Sequence, residues 1–237
     1  MCVLALGTLV YLALKNRIKA IRKESELKHR IAETEMMALR SQMNPHFIFN
    51  CINGIDGMIQ SNDKYRATVY LNKFAKLIRN VLDSSKENKI LLSKDVETLQ
   101  LYVDLELFRH QDKFKASINV DEDLMQGDYK VPPLIIQPYV ENAILHGLRH
   151  RADHAGKLTV TVSKNNDYII YVIEDNGVGR KKGNGDLHKD IQEYGMQMSN
   201  DRVKLFNDEK VASVQITDLE SNGQPSGTRI QVQLKFQ

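Results

Sequence analysis

Hydrophobic and polar positions fall into two regimes along the chain. Up to about residue 110 the apolar residues recur at intervals of three and four; after residue 114 they alternate. In the first regime, Asn44 and Pro45 open a helix that ends near Gln60. Asn is a good N-cap, and Pro loses nothing in a first turn whose N–H has no partner. Ile48, Ile52, Ile55 and Ile59 form one stripe of that helix, and His46, Asn50, Asn53 and Gly57 form the opposite face. Ser61, Asn62 and Asp63 supply a turn and a cap. Residues 64–82 then make a second amphipathic helix, with Ala67, Tyr70, Leu71, Phe74, Leu77, Ile78, Val81 and Leu82 as its apolar positions. Two helices joined by a short loop form an antiparallel hairpin. Two helices alone do not enclose both stripes, so the pattern predicts that two hairpins pair into a four-helix bundle, a homodimer through residues 45–82. A polar linker at 83–88 and a third amphipathic helix over 93–110 follow.

The second regime predicts an α+β domain. Alternation marks strands at 115–120, 158–163, 168–174, 212–218 and 228–236. Pro132 and Pro133 open a helix that runs to about Leu148, and another helix covers 194–206. The strands make a mixed sheet with helices on one face. At the other end, residues 1–14 are apolar and uncharged, and Lys15, Arg17, Lys19, Arg22 and Lys23 follow them. Fourteen residues do not span a bilayer alone, but the order matches the cytoplasmic end of a transmembrane helix; a short core helix is the alternative. Residues 17–41 lack Gly and Pro and predict a connecting helix, either a dimeric coiled coil weakened by a polar seam at Ser25, Lys28 and Glu35 or a solvated single helix. The expected organisation is therefore 1–14 membrane end, 15–41 connecting helix, 42–88 hairpin and 89–237 second domain.

Composition narrows the function classes. A net charge of +3 over 237 residues and the absence of an aromatic-rich basic stripe argue against nucleic acid. Cys2 and Cys51 have no disulfide or metal spacing, which indicates a reducing compartment. His146, His150 and His154 are spaced by four but have no acidic or cysteine partner, so a metal site is not expected there.

Four stretches of the second domain fit a nucleotide site. Glu141, Asn142 and His146 adjoin on one helix, and an Asn amide oxygen can complete the shell of a hard cation. Asp175-Asn176-Gly177-Val178-Gly179 follows a strand; its glycines allow close backbone approach, and a buried Asp there can accept from an exocyclic amine. Tyr194-Gly195-Met196 opens a helix whose N-terminus can meet phosphate. Gly227-Thr228 enters the last strand. Each stretch alone is an ordinary turn or surface motif; their order after the His46 helix is what is specific.

That combination resembles the LytS-like group of sensor histidine kinases, whose core joins a histidine-bearing hairpin to a GHKL-type ATPase domain. The resemblance covers about residues 39–236. It rests on Gln42-Met43-Asn44-Pro45-His46-Phe47-Ile48-Phe49-Asn50, on Val131-Pro132-Pro133, and on Gln137-Pro138-Tyr139-Val140-Glu141-Asn142-Ala143 with His146-Gly147. Arg79, Tyr102 and Arg109 also match. The resemblance implies that His46 is the phospho-acceptor, supported by Asn50, Arg79 and Glu141. It implies an ATP site of Asn142, His146, Asp175, Gly177, Gly179, Gly195, Gly227 and Thr228. Asn142 would hold Mg²⁺ with the ATP phosphates, Asp175 would bond the adenine amino group, and residues 180–191 would be a mobile lid. It also implies a second copy of the chain and a response regulator as partners, and a kinase core on the cytoplasmic side of the membrane.

Three positions depart from the pattern. Leu145 stands where the family usually has Lys, with Arg149, Lys181 and Lys182 as substitute cations. Glu193 stands where a Gly is common. Phe47 follows His46 where many other histidine kinases carry an acid, which leaves the general base unnamed. Leu145 and Glu193 support the alternative, a non-catalytic membrane-tethered dimeric scaffold with a degenerate pocket. An ATP hydrolase or protein-serine kinase of the same fold leaves His46 unexplained.

Overall fold

The structure is a computed structural model. It describes residues 45–110, 113–151, 153, 155–179, 200, 201, 203, 204, 206, 207, 214–221 and 223–236, together with Lys15 and Arg17. The chain divides into two compact units, Met1–Ile48 and Phe49–Gln237. In the first, Lys15 and Arg17 are helical and exposed, and Pro45–Ile48 begin helix α1 (Pro45–Gln60). The apolar segment 1–14, nearly all of the expected connecting helix, the expected lid and Gly195 lie outside the described residues, as does the His46 side chain.

In the second unit α1 continues to a turn in which Asn62 takes a positive φ of 60°. The Asp63 carboxylate then accepts from the Arg66 N–H at 3.1 Å and caps α2 (Lys64–Ser84). This satisfies one of the orphan donors of the helix start. The α2 helix packs against α3 (Leu92–Arg109). Tyr70, Leu77 and Val81 are fully buried, Tyr70 meets Phe108 edge-on at 5.8 Å, and the pairs Lys73–Asp104 and Lys76–Glu97 bridge the two helices. Most of the α2 stripe that the sequence pattern leaves for a second chain is thus covered within this one. The compact unit also runs through 83–88, where α2 ends on a fully buried Ser84. The outer face differs: Phe49, Ile52, Ile59, Leu71 and Leu82 are 66%, 51%, 59%, 48% and 40% exposed.

The sheet has the order β2-β4-β5-β7-β6, with β2 (Phe114–Val120), β4 (Gly156–Asn165), β5 (Tyr168–Asp175), β6 (Val214–Ser221) and β7 (Gln224–Lys235). The β2–β4 pair is parallel and the others antiparallel, so the sheet is mixed as the alternation predicts. Leu158, Val160, Val162, Ile169, Tyr171, Ile173, Val232 and Leu234 line the core face. Three elements escape the pattern. A two-stranded ladder joins β1 (Ile90–Leu91) to β3 (Lys130–Val131), and a short helix, α4 (Glu122–Gln126), follows β2.

The helix expected from Pro132 instead starts at Gln137, as α5 (Gln137–Asn142). A proline disfavours the helical region for the residue before it, so Pro132, followed by Pro133, cannot open a helix. The two prolines form a turn in which Leu134 has a positive φ of 56°. The buried Asp95 carboxylate, in the first turn of α3, accepts the Leu134 N–H at 2.9 Å and holds that turn. Of the helix expected over 194–206, residues 200, 201, 203, 204 and 206 are helical as described, and Val203 is buried. Asn200 accepts the Tyr139 hydroxyl at 2.6 Å, which ties this stretch to α5.

Candidate functional site

Past Asn142 the helix widens. Ala143–Leu148 is a π-helical turn, in which the Arg149 N–H reaches the Ile144 carbonyl, five residues back, at 2.9 Å. In an α-helix, residues five apart point about 140° away from each other at about 100° per residue. A π turn is wider, so it turns Gly147 back toward the side of Asn142.

Gly147 packs directly on the turn after β5. A Cβ added to Gly147 would lie 2.7 Å from Asp175 Oδ1, and one added to Gly177 would lie 2.4 Å from the Gly147 backbone. Gly227, at φ +144°, would place a Cβ 2.0 Å from the Asp175 carbonyl oxygen. The Val178 N–H donates to the Gly147 carbonyl at 3.2 Å. In the β5–β7 ladder Asp175 is paired with Thr228. Three of the four sequence stretches are therefore in contact around one carboxylate, and the fourth, around Gly195, lies outside the described residues. Gly179, at φ +68°, continues the same turn to β7, where a Cβ would meet Pro225 at 2.6 Å.

The Asp175 carboxylate is buried and accepts the Gly177 N–H at 2.8 Å. Burial pushes its pKa up to about 6, against the pull of backbone hydrogen bonds from Gly177 and Thr228. A carboxylate has about four acceptor positions, so two backbone donors leave capacity for a ligand donor. The glycines let the π turn, the Asp175 turn and β7 meet with no side chain between them, beside a carboxylate that can still accept a donor. Asn142 is half-buried, and His146, one turn on, is exposed. Among the described residues no group of three or more His, Cys, Asp or Glu side chains is placed to hold a metal. An Asn amide oxygen suits a hard cation that takes its remaining ligands from phosphate and water, and that donor chemistry fits Mg²⁺.

Glu141 is half-buried beside Asn142. Burial pushes its carboxyl up to about 7, a Gln137 amide donating at 3.4 Å pulls it down, and the Glu106 charge raises it further. Glu106 is almost fully buried and paired with Arg109, with His110 Nε2 3.3 Å away. Tyr102 is buried on the same helix. Asn50 is half-buried on α1, Arg79 is exposed on α2, and Leu145 is half-buried in the π turn. Cys51, one residue past Asn50, accepts the Tyr70 hydroxyl at 3.3 Å, and burial pushes its thiol up to about 11.

Sequence reasoning missed Asp95, Glu106 and the π turn. Asp95 and Glu106 carry no motif, though each is an acid on the apolar side of an amphipathic helix, which is itself a signal. A groove of about 450 Å³ lined by Val96, Leu101, Ile118, Val120 and Met125 lies between α3, β2 and α4, and none of the site residues lines it.

A family model described as histidine kinase matches residues 34–114. The sensor protein LytS of Oceanobacillus iheyensis is 33% identical over 174 residues, which cover 73% of this chain and 28% of that protein. The sensor histidine kinase/phosphatase LytS of Staphylococcus aureus is 33% identical over 153 residues, 64% of this chain and 26% of that one. The histidine kinase domain of a blue-light-activated histidine kinase from Erythrobacter litoralis superposes with a TM-score of 0.44 at 13% identity, covering 86% of this chain and 95% of that domain. The chain belongs to the LytS-like family of sensor histidine kinases. It spans roughly a quarter of the length of the curated relatives it matches.

Proposed function

We propose that this chain is the kinase core of a sensor protein, which transfers the γ-phosphoryl group of ATP to His46 and then to an aspartate of a response regulator. The observation that carries the reading is the side-chain-free cradle of Gly147, Gly177 and Gly227 around the buried Asp175 carboxylate. A neutral imidazole nitrogen is a competent nucleophile near pH 7. It attacks the γ-phosphorus, and ADP leaves. Asn142 would hold Mg²⁺, which would supply charge neutralisation at the phosphates. Asp175 accepts from the adenine amino group, Thr228 and the glycines shape the pocket, and His146 borders it. Gly195 would help to shape the pocket and residues 180–191 would be its lid; both lie outside the described residues. Asn50, Arg79 and Glu141 support His46 and the nucleotide.

The native assembly in this reading is a homodimer through the exposed outer face of the hairpin. Residues 1–14 would lead into the membrane, with the kinase core on the cytoplasmic side. No described helix is long and apolar enough to cross a membrane.

Incubation with ATP labelled in its γ-phosphate tests the activity. The product should be acid-labile, His46→Gln should carry no label while still binding ADP, and Asn142→Ala should lose Mg²⁺-dependent labelling. Full labelling of His46→Gln would remove His46 as acceptor. Nucleotide binding without labelling of the parent chain would favour the scaffold reading.

A further inference from the structure

The turn that carries Asp175 is fixed from behind by one segment. Asn176 lies between Asp175 and Gly177, and every polar atom it has is bonded to residues 151–157. Its N–H donates to the Lys157 carbonyl at 3.2 Å, and its Nδ2 donates to the Ala155 carbonyl at 3.0 Å. Its Oδ1 accepts the Lys157 N–H at 2.6 Å, and its carbonyl accepts Arg151 Nη1. Arg151 is three-quarters buried and is itself held. Its Nε donates to Asp153 Oδ1 at 2.8 Å, its Nη2 pairs with the other carboxylate oxygen, and its N–H bonds the Leu148 carbonyl at 3.1 Å. Asp153 Oδ1 also accepts the Ala155 N–H at 3.2 Å. The guanidinium thus joins the end of the π turn to the main chain one residue past Asp175. Only the fork of an Arg reaches both a carbonyl and a carboxylate in this way.

We propose that Arg151 is a positioning residue of the nucleotide site: by tying the connection after the π turn to the Asn176 carbonyl, it fixes Asp175 against the adenine amino group and sets the preference for adenine over guanine nucleotides. This rests on the nucleotide reading of the Asp175 cradle. Arg151 touches the Asp175 turn from the side of residues 153–157, so its effect travels through the backbone of Asn176 and not through contact with a ligand. The chemistry makes base preference the sensitive readout. A fixed carboxylate accepts from the six-amino group of adenine and opposes the six-oxo group of guanine. A carboxylate free to swing both binds adenine less well and rejects guanine less well.

The test is equilibrium binding of ADP and of GDP to the full 237-residue chain, with melting curves for every variant. Arg151→Ala should weaken ADP binding about tenfold, as expected for a lost charge-assisted hydrogen bond, and GDP binding by less, so that the two affinities converge. Arg151→Lys, which keeps one N–H donor for the Asn176 carbonyl but loses the paired bonds to Asp153, should restore only part of the preference. Equal losses for both nucleotides, or no change for either, would overturn the proposal. Asp175→Asn separates the two levels of the argument. If it leaves the base preference intact, the reading of the cradle fails and the role of Arg151 fails with it. If it abolishes the preference and Arg151→Ala does not narrow it, only the clamp fails. Should Arg151→Ala melt as an unfolded chain, Asp153→Asn carries the test, with an expected narrowing of about twofold through loss of one anchor of the fork; an unchanged preference there overturns the proposal.

Discussion

The cradle around Asp175 and the outer face of the α1–α2 hairpin are built on opposite terms. In the cradle, Gly147, Gly177 and Gly227 approach so closely that no added carbon fits, and the one charged group is buried. On the hairpin, Phe49, Ile52 and Ile59 stand more than half exposed. The cradle is finished within one chain. The hairpin leaves apolar area in water, which forfeits roughly 25 cal/mol per Å² until something covers it. Substitution should therefore act on the fold in the first region and on assembly in the second.

The sharpest division comes from Gly227→Ala. Its Cβ would sit 2.0 Å from the Asp175 carbonyl at a φ of +144°, so both sterics and backbone conformation oppose it. Urea denaturation should show a loss of about 3–5 kcal/mol together with loss of nucleotide binding. A stable Gly227→Ala that still binds ADP would break the account of the cradle. Asp95→Ala should cost about 1–3 kcal/mol in the same assay, since it leaves the Leu134 N–H without its buried acceptor.

Asp175→Asn should move stability and binding in opposite directions. The carboxyl titrates near 6 in the fold and near 3.8 when unfolded. The folded state binds this proton more tightly, so the contribution is fully present below the unfolded value and is lost as pH rises to about 6. Above that the buried charge costs about 2–3 kcal/mol. Asn removes the charge but keeps only one acceptor oxygen for the Gly177 and Thr228 amides. The net expectation is a gain of about 1 kcal/mol near neutral pH and a loss of ADP affinity of about tenfold. For the parent chain, ADP affinity should fall as pH drops through about 6, because the neutral carboxyl is a weaker acceptor for the adenine amino group than the carboxylate. Isothermal titration across that interval checks the slope and its sign.

The smallest effect on stability belongs to the hairpin. Ile52→Asp with Ile59→Asp changes side chains that are more than half exposed in the single chain, and should alter the unfolding free energy of the monomer by about 0.5 kcal/mol or less. It should nevertheless lower the mass seen by light scattering from dimer to monomer. Equal masses for parent and double variant would remove the outer face as the interface. Leu77→Glu cannot serve for this purpose, because Leu77 is fully buried against the chain's own packing.

Periodicity made the elements legible, and contact made the rest illegible. The Ile and Leu spacing of α1, α2 and α3 and the alternation of β4, β5 and β7 were enough to place those elements within a few residues. Pattern could not say that Tyr70 and Leu77 face α3 and not a second chain, because an apolar stripe carries no address. It misplaced the start of the Pro132 helix because the restriction of Pro133 on its predecessor outweighs the first-turn preference of proline. The glycines of the site were legible as permissive residues. Which of them touch, and that Asp95, Arg151 and Asn176 hold the turns between them, followed only from distances.

The contact of Gly147 with Gly177 has a consequence for timing. Two backbones meeting without side chains have no rotamers, so the joint does not loosen by small steps; it is closed or it is parted. The Val178 amide hydrogen, bonded to the Gly147 carbonyl, would then exchange with solvent only when the π turn and the Asp175 turn separate as wholes. Deuterium uptake at that single amide would serve as a clock for opening of the joint, readable in the absence of nucleotide, label or activity, and slowed by anything that binds across it.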